Sequence, residues 1–205
     1  MNKQTQRWGI AGGSVVAGYL LLKAVLLEKY FFEVNTFDIG KNFGSTTKLL
    51  LLTDLHFRKW LWPFHQKLAK KINDLKPDLI LIAGDIIDES GTTTNAAGQF
   101  LRKINFTIPK AVILGNHDFK NAVSFAAYKQ IFKESNCTFL QNQTEVFNIK
   151  GTKVAVTGIE DFIEGFPDVS KALQGVGTEK NHVLLVHSPA QHEEVMREVS
   201  KINEC

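Results

Sequence analysis

Ala-Val-Ile-Leu-Gly-Asn-His-Asp, residues 111–118, sets four apolar residues directly before four that carry chemistry. The apolar half suits a buried strand, and Gly-Asn-His-Asp is then the turn leaving its carboxyl end. A turn alone is satisfied by many combinations of Asn, Asp and Gly and has no use for His in third place. Working outward, the same arrangement recurs. Upstream, Lys48–Thr53 ends in Asp54-Leu55-His56 and Asp78–Ala83 ends in Gly84-Asp85; downstream, Val183–Val186 ends in His187-Ser188-Pro189. Singly, Asp-x-His arises by chance and Gly-Asp is usually a turn. Four such patches in order, each closing an apolar run, form a set. Oxygen and nitrogen donors gathered at adjacent strand tips are what a two-metal hydrolytic site requires. A carboxylate bridges two divalent ions, while imidazole and amide groups complete each shell without further negative charge.

Between these runs the spacing predicts helices. Phe64–Leu75 places Leu68, Ile72 and Leu75 on one face and stops before Pro77. Thr92–Ile104 begins at a capping threonine and turns Phe100, Leu101 and Ile104 inward; Ala122–Phe132 is a third helix. Strand and helix alternating in this way imply parallel pairing with right-handed crossovers. Lys48–Thr53, a continuous apolar run, reads as a central strand covered on both faces. The second half changes character: Thr144–Ile149 and Lys153–Thr157 form a hairpin about Lys150-Gly151-Thr152. Val183–Val186 is then a strand and Pro189 to Ile202 a helix. Glu33–Ile39 alternates as an edge strand does. The class is α/β with a mixed second sheet, and in open α/β sheets functional groups collect beyond the carboxyl ends of the strands.

With 205 residues, 44% hydrophobic and 22% charged, the chain has material for a substantial core. A net charge of +3, its lysines scattered rather than striped, does not call for nucleic acid. Cys137 and Cys205 make neither a disulfide framework nor a Cys-rich zinc site. The N-terminus differs in kind. Ile10 to Leu27 is apolar or small except for Lys23, and as a helix it would run about 27 Å, close to the hydrocarbon thickness of a bilayer. Trp8, Tyr19 and Tyr30-Phe31-Phe32 suit the interface, and Lys23 can snorkel. The expectation is a single-pass anchor over residues 1–32 and a catalytic domain over 33–205. A cleaved signal competes, without a small-x-small site after the apolar stretch. A core helix competes too, against Gly12, Gly13 and Gly18. Lys3 and Arg7 mildly favour the N-terminus inside and the domain outside, while Lys29, Lys41 and Lys48 on the other flank oppose this, so the orientation stays open.

In order and spacing, the blocks from Asp54 to His187 resemble the calcineurin-like metallophosphoesterase family. Its pattern runs Asp-x-His, Gly-Asp, Gly-Asn-His-Asp, a strand-end His and then Gly-His-x-His. The resemblance implies a two-sheet α-β-β-α sandwich that hydrolyses phosphoesters or phosphoanhydrides with two divalent metal ions (Mn2+, Fe, Zn2+ or Ni2+). It makes Asp54 and His56 ligands of one metal, Asp85 the bridge, and Asn116 and His187 ligands of the other. His117 becomes the proton donor to the leaving oxygen, its ring oriented by Asp118. The sequence reaches Cys205 without Gly-His-x-His, which implies a C-terminally incomplete domain with weakened metal binding and little turnover.

With its apolar N-terminus the chain is similar to bacterial membrane-bound members, some of which cleave UDP-2,3-diacylglucosamine in lipid A synthesis. The partners then expected are the membrane and a phosphorylated small-molecule or lipid substrate, with no nucleic acid. A nuclease or protein phosphatase of the same family would want a basic groove or an accessory domain, and neither is visible. A non-catalytic scaffold with a decayed metal site would scatter substitutions through the blocks, yet these four are intact. Asp88 reads as a turn or cap carboxylate, and His65, His182 and His192 as surface or packing residues. Arg58 stands at the mouth of the site. Trp60, Leu61, Trp62 and Phe64 form an apolar loop beside Asp-x-His, suited to the core, to lipid or to an acyl chain.

Overall fold

Period-two and period-3.6 patterns alternate along the chain, and the computed structural model, which describes residues 32–40, 46–177 and 181–203, follows them closely. The chain divides into two units, residues 1–42 and 43–205. In the first, residues 32–40 form neither helix nor strand, so the expected edge strand at Glu33–Ile39 does not form. An alternating stretch becomes a strand only where a neighbouring strand takes its hydrogen bonds, and no strand among the described residues pairs with residues 33–39. The expected anchor lies, but for Phe32, outside the described residues. No helix among the described residues is long and apolar enough to cross a membrane.

The second unit opens with β1 (Leu49–Leu52), α1 (Pro63–Leu75), β2 (Leu79–Ala83), α2 (Asn95–Lys103) and β3 (Lys110–Ile113). There follow a short α3 (Asn116–Lys120), α4 (Phe125–Lys133) and β4 (Cys137–Phe139). The four strands pair in parallel in the order β1-β2-β3-β4. A hairpin of β5 (Gln143–Ile149) and β6 (Thr152–Gly158) turns at Lys150 and Gly151, φ 51° and 82°. Two residues of positive φ give the turn whose twist matches paired strands. After α5 (Val169–Leu173), β7 (Asn181–Leu185) lies parallel to β6, closing a sheet of order β5-β6-β7, and α6 (His192–Asn203) follows.

Side-chain alternation on β2 sets the layers. Ile80 and Ile82 point to the helices, into a core with Phe57, Phe100, Leu101, Tyr128 and Phe132. Leu79, Leu81 and Ala83 point the other way, against Phe147, Val154, Val156 and Leu185 of the second sheet. Beyond that sheet, Val169, Ala172 and Leu173 of α5 pack with Ile159 and Val195. The layers are therefore helix, sheet, sheet, helix. Each fully buried Leu, Ile or Phe contributes on the order of 1.5–3 kcal/mol, so β2 and β3 carry most of the cohesion.

Three expectations need correction. Lys48–Thr53 gives an edge strand rather than a central one. Leu50 and Leu52 pack towards the helices, but Leu49 and Leu51, in register with Leu79 and Leu81, are 38% and 61% exposed. A strand hydrogen-bonded on one side only cannot be covered as its neighbours are. The helix expected at Ala122–Phe132 starts instead at Phe125, because Ser124 Oγ caps it by accepting the Ala127 N–H at 3.3 Å. Lastly, the helix expected over Thr92–Ile104 runs from Asn95 to Lys103, and its N-cap residue Thr94 makes no side-chain cap hydrogen bond.

Candidate metal centre

Beyond their ladders, β1 and β2 turn sharply through left-handed backbone. Asp54, His56 and Asp85 have φ of 54°, 44° and 51°. Such values cost a residue other than glycine on the order of 1–3 kcal/mol and gather where function needs them. Three of the seven such residues in the described backbone lie here. The two turns run side by side: Asp54 N–H donates to Gly84 O at 3.2 Å, His56 N–H to Asp85 O at 2.9 Å and Phe57 N–H to Ile86 O at 2.8 Å. Gly84 has φ 88°, and a Cβ there would stand 2.6 Å from the Gly115 nitrogen. A Cβ on Gly115 would collide with the Asp85 carboxylate. Both glycines are thus required by the contact between the second and third ligand turns.

Asp85, 3% exposed, is the hub. Its Oδ1 accepts the His117 N–H at 2.9 Å and lies 3.4 Å from His187 Nε2. Its Oδ2 lies 3.7 Å from His56 Nε2 and 3.9 Å from His117 Nε2. Asp54 Oδ1 is 3.5 Å from His56 Nε2, and Asn116 Oδ1 is 3.0 Å from His187 Nε2. The structure therefore gathers Asp54, His56, Asp85, Asn116 and His187 around one carboxylate. Donor atoms of Asp54, Asp85 and His187 all lie within 4.8 Å of one another, as do those of His56, Asp88 and His117.

The donor set fits a cation. His187 Nδ1 faces the Ala83 carbonyl at 2.8 Å, and a carbonyl only accepts, so the ring proton is on Nδ1. Nε2 then presents a lone pair to Asn116 Oδ1 and Asp85 Oδ1, themselves acceptors. Acceptors converge here without a proton to share. A metal resolves that arrangement, and the Nδ1–H bond to a backbone carbonyl is the usual support of a ligating imidazole.

His117 is held differently from expectation. Its Nδ1 accepts the Glu89 N–H at 3.2 Å, so the neutral ring carries its proton on Nε2, facing Asp85. Asp118 does not orient this ring. Its buried carboxylate accepts from the N–H groups of Ile86, Ile87 and Gly115 at 3.1, 2.8 and 3.0 Å and from the Tyr128 hydroxyl at 2.8 Å. Asp118 therefore clamps the Gly84–Ile87 turn to the Gly115–Asp118 turn. Burial pushes its pKa up, against the pull of these four donors. Burial and the Asp118 charge also raise the pKa of Tyr128, keeping it a neutral donor. Sequence reasoning missed both Glu89, which acts through its backbone, and Tyr128, which looks like any core aromatic.

Asp88 closes a turn, accepting from the Ser90 hydroxyl and N–H and from Arg58 Nη2 at 3.2 Å. The Ser90 hydroxyl, then its backbone N–H and Arg58, hold the Asp88 carboxyl down at about 2 despite its burial. His65 packs on Phe57, ring centroids 4.6 Å apart, and its Nδ1 accepts the Trp62 N–H at 3.2 Å. His182 Nε2 meets Thr157 Oγ1 at 2.8 Å on the second sheet. The His192 side chain lies outside those described.

A family model, calcineurin-like phosphoesterase, matches residues 47–202. The uncharacterized metallophosphoesterase YkuE of Bacillus subtilis (strain 168) is 29% identical over 188 residues, covering 88% of this chain and 65% of YkuE. The uncharacterized metallophosphoesterase Cj0846 of Campylobacter jejuni is 29% identical over 164 residues, covering 77% of this chain and 42% of its own. A Danio rerio transmembrane protein with metallophosphoesterase domain is 28% identical over 153 residues, 69% of this chain and 35% of its own. The chain spans less than two thirds of the length of each of these three relatives.

Proposed function

This chain belongs to the calcineurin-like phosphoesterase family, and from that premise we propose that it is a two-metal, membrane-tethered hydrolase of phosphoesters or phosphoanhydrides. The observation that carries the reading is the convergence of acceptor atoms on Asp85 from three separate turns. Asp54 and His56 would hold one cation, Asn116 and His187 the other, with Asp85 shared between them. When bound, the cations supply the Lewis-acid charge that displacement at a phosphoryl group needs.

The chain's own groups do the rest. The Glu89 N–H fixes the His117 tautomer, leaving an Nε2–H aimed at the centre that can donate a hydrogen bond to the charge developing on the leaving oxygen. A preorganised hydrogen-bond donor to developing negative charge contributes about 10²–10³-fold. Asp118 and Tyr128 keep the second and third turns in register, so that His117 and Asp85 stay at a fixed separation. A lipid-linked or nucleotide-sugar phosphodiester, with UDP-2,3-diacylglucosamine the first to try, is favoured by the exposed Trp60 and Trp62 beside Asp-x-His and by the apolar segment Ile10–Leu27.

Metal titration and hydrolysis test the reading together. Wild-type chain should take up Mn2+ and hydrolyse bis-p-nitrophenyl phosphate slowly, and Asp85→Ala should abolish both. Metal uptake or turnover that survives Asp85→Ala defeats the mechanism. If both behave as expected but UDP-2,3-diacylglucosamine is untouched, only the choice of substrate fails.

A further inference from the structure

Trp60 and Trp62 are 65% and 59% exposed, although indole rings bury well where packing permits. They stand in the loop that leaves His56 for α1, and that loop is pinned at both ends. Phe57 is fully buried, Arg58 pairs with Asp88 at 3.2 Å, and the Trp62 N–H donates to His65. The exposed indoles are therefore fixed features of the rim of the metal centre. Cations accompany them. The Lys59 ammonium sits 5.1 Å from the Trp60 ring centre, and Lys67 and Lys71 follow on the exposed face of α1.

A second loop, residues 160–168, carries Phe162, Ile163 and Phe166 exposed. It follows β6, whose carboxyl end lies beside that of β7 (Gly158 opposite Leu185), so it leaves the fold where His187 stands. Lys120, three residues past His117, holds it through Glu164 at 3.1 Å. Apolar side chains thus flank the centre from both sheets, mixed with cations on the first. Indole rings favour the headgroup layer of a bilayer, and lysines beside them are drawn to anionic headgroups. The lysines beside the exposed indoles make an anionic lipid surface the occupant that fits this side of the rim.

We propose that this rim docks on the surface of an anionic bilayer, with Trp60 and Trp62 in the headgroup layer and the metal centre facing phosphoesters presented there. The proposal rests on the function proposed above for the place of the centre, and its test needs no turnover. The tryptophans of the chain are Trp8, Trp60 and Trp62. In the full chain carrying Trp8→Phe, fluorescence therefore reports on the rim alone, whatever residues 10–27 do.

With vesicles of phosphatidylglycerol and phosphatidylcholine bearing brominated acyl chains, emission should shift to the blue, bromolipid should quench it, and acrylamide quenching should fall. Lys59→Gln in the same background should weaken the rim signal about fivefold at low salt, the loss expected for one cation at such a surface. Vesicle-bound chain whose tryptophans stay open to acrylamide and untouched by bromolipid overturns the proposal. So does a blue shift that needs protein concentration and no vesicles, which would mark contact between copies. Loss of hydrolysis with rim quenching intact would count against the proposed function and leave the docking surface standing.

Discussion

At Asp118 three backbone N–H groups and the Tyr128 hydroxyl meet one buried carboxylate. Hydrogen bonds to a charged group contribute about 1.5–3 kcal/mol each. Tyr128→Phe should therefore lower unfolding free energy by about that much in urea titrations, and Mn2+ affinity should fall with it as the two turns slip. Unchanged affinity would show that the clamp is not needed for the site. His65 gives a pH dependence. Burial lowers its pKa from 6.5, so the fold prefers the neutral ring that accepts the Trp62 N–H. Its contribution is full above pH 6.5 and is lost as pH falls through the lower, folded value. Stability measured from pH 7.5 down to 5 should drop more steeply in wild type than in His65→Gln. The side chains that gather around Asp85 were legible in the sequence because metal chemistry admits few residue types, and these stand at run ends. The groups that hold them were not. A backbone N–H such as that of Glu89 can belong to any residue, and Asp118 beside His117 invites a contact that the short helix α3 directs elsewhere.

Among the elements, β1 shows what a local pattern leaves out. Leu49-Leu50-Leu51-Leu52 is as apolar as Leu79-Ile80-Leu81-Ile82, yet only the latter is buried on both faces. Whether a strand is central depends on what pairs with it from far along the chain, and no window of ten residues contains that. Leu51→Thr should change stability by no more than about 0.5 kcal/mol. Leu81→Ala, its register partner facing the second sheet, should cost about 2–5 kcal/mol in the same denaturation assay. Equal costs would mean that β1 is covered after all. Helix boundaries followed the same logic. The apolar spacing of Phe125–Phe132 was readable, but its start was decided by the Ser124 cap and by Asn121, which accepts the Val123 N–H at 2.9 Å.

Across the whole domain, layers that interlock through β2 and β3 leave the carboxyl ends of the strands free to carry turns. Parallel pairing of the first strands and the gathering of the polar patches were implied by four run ends in sequence order. The hairpin announced itself through Lys150-Gly151. The left-handed backbone at Asp54, His56 and Asp85 did not, because aspartate and histidine, though enriched among the non-glycine residues at positive φ, adopt it too seldom for the residue type to signal it. That backbone has a consequence. His56→Gly should make the cation-free chain more heat-resistant by about 0.5–1 kcal/mol while Mn2+ uptake declines; a loss of stability without metal would refute it. Durability and chemistry are opposed at these three positions. Variants screened for thermal endurance alone should shed them early, so a lineage that no longer cleaves phosphate would be recognisable by glycine or asparagine there while its core stays unchanged.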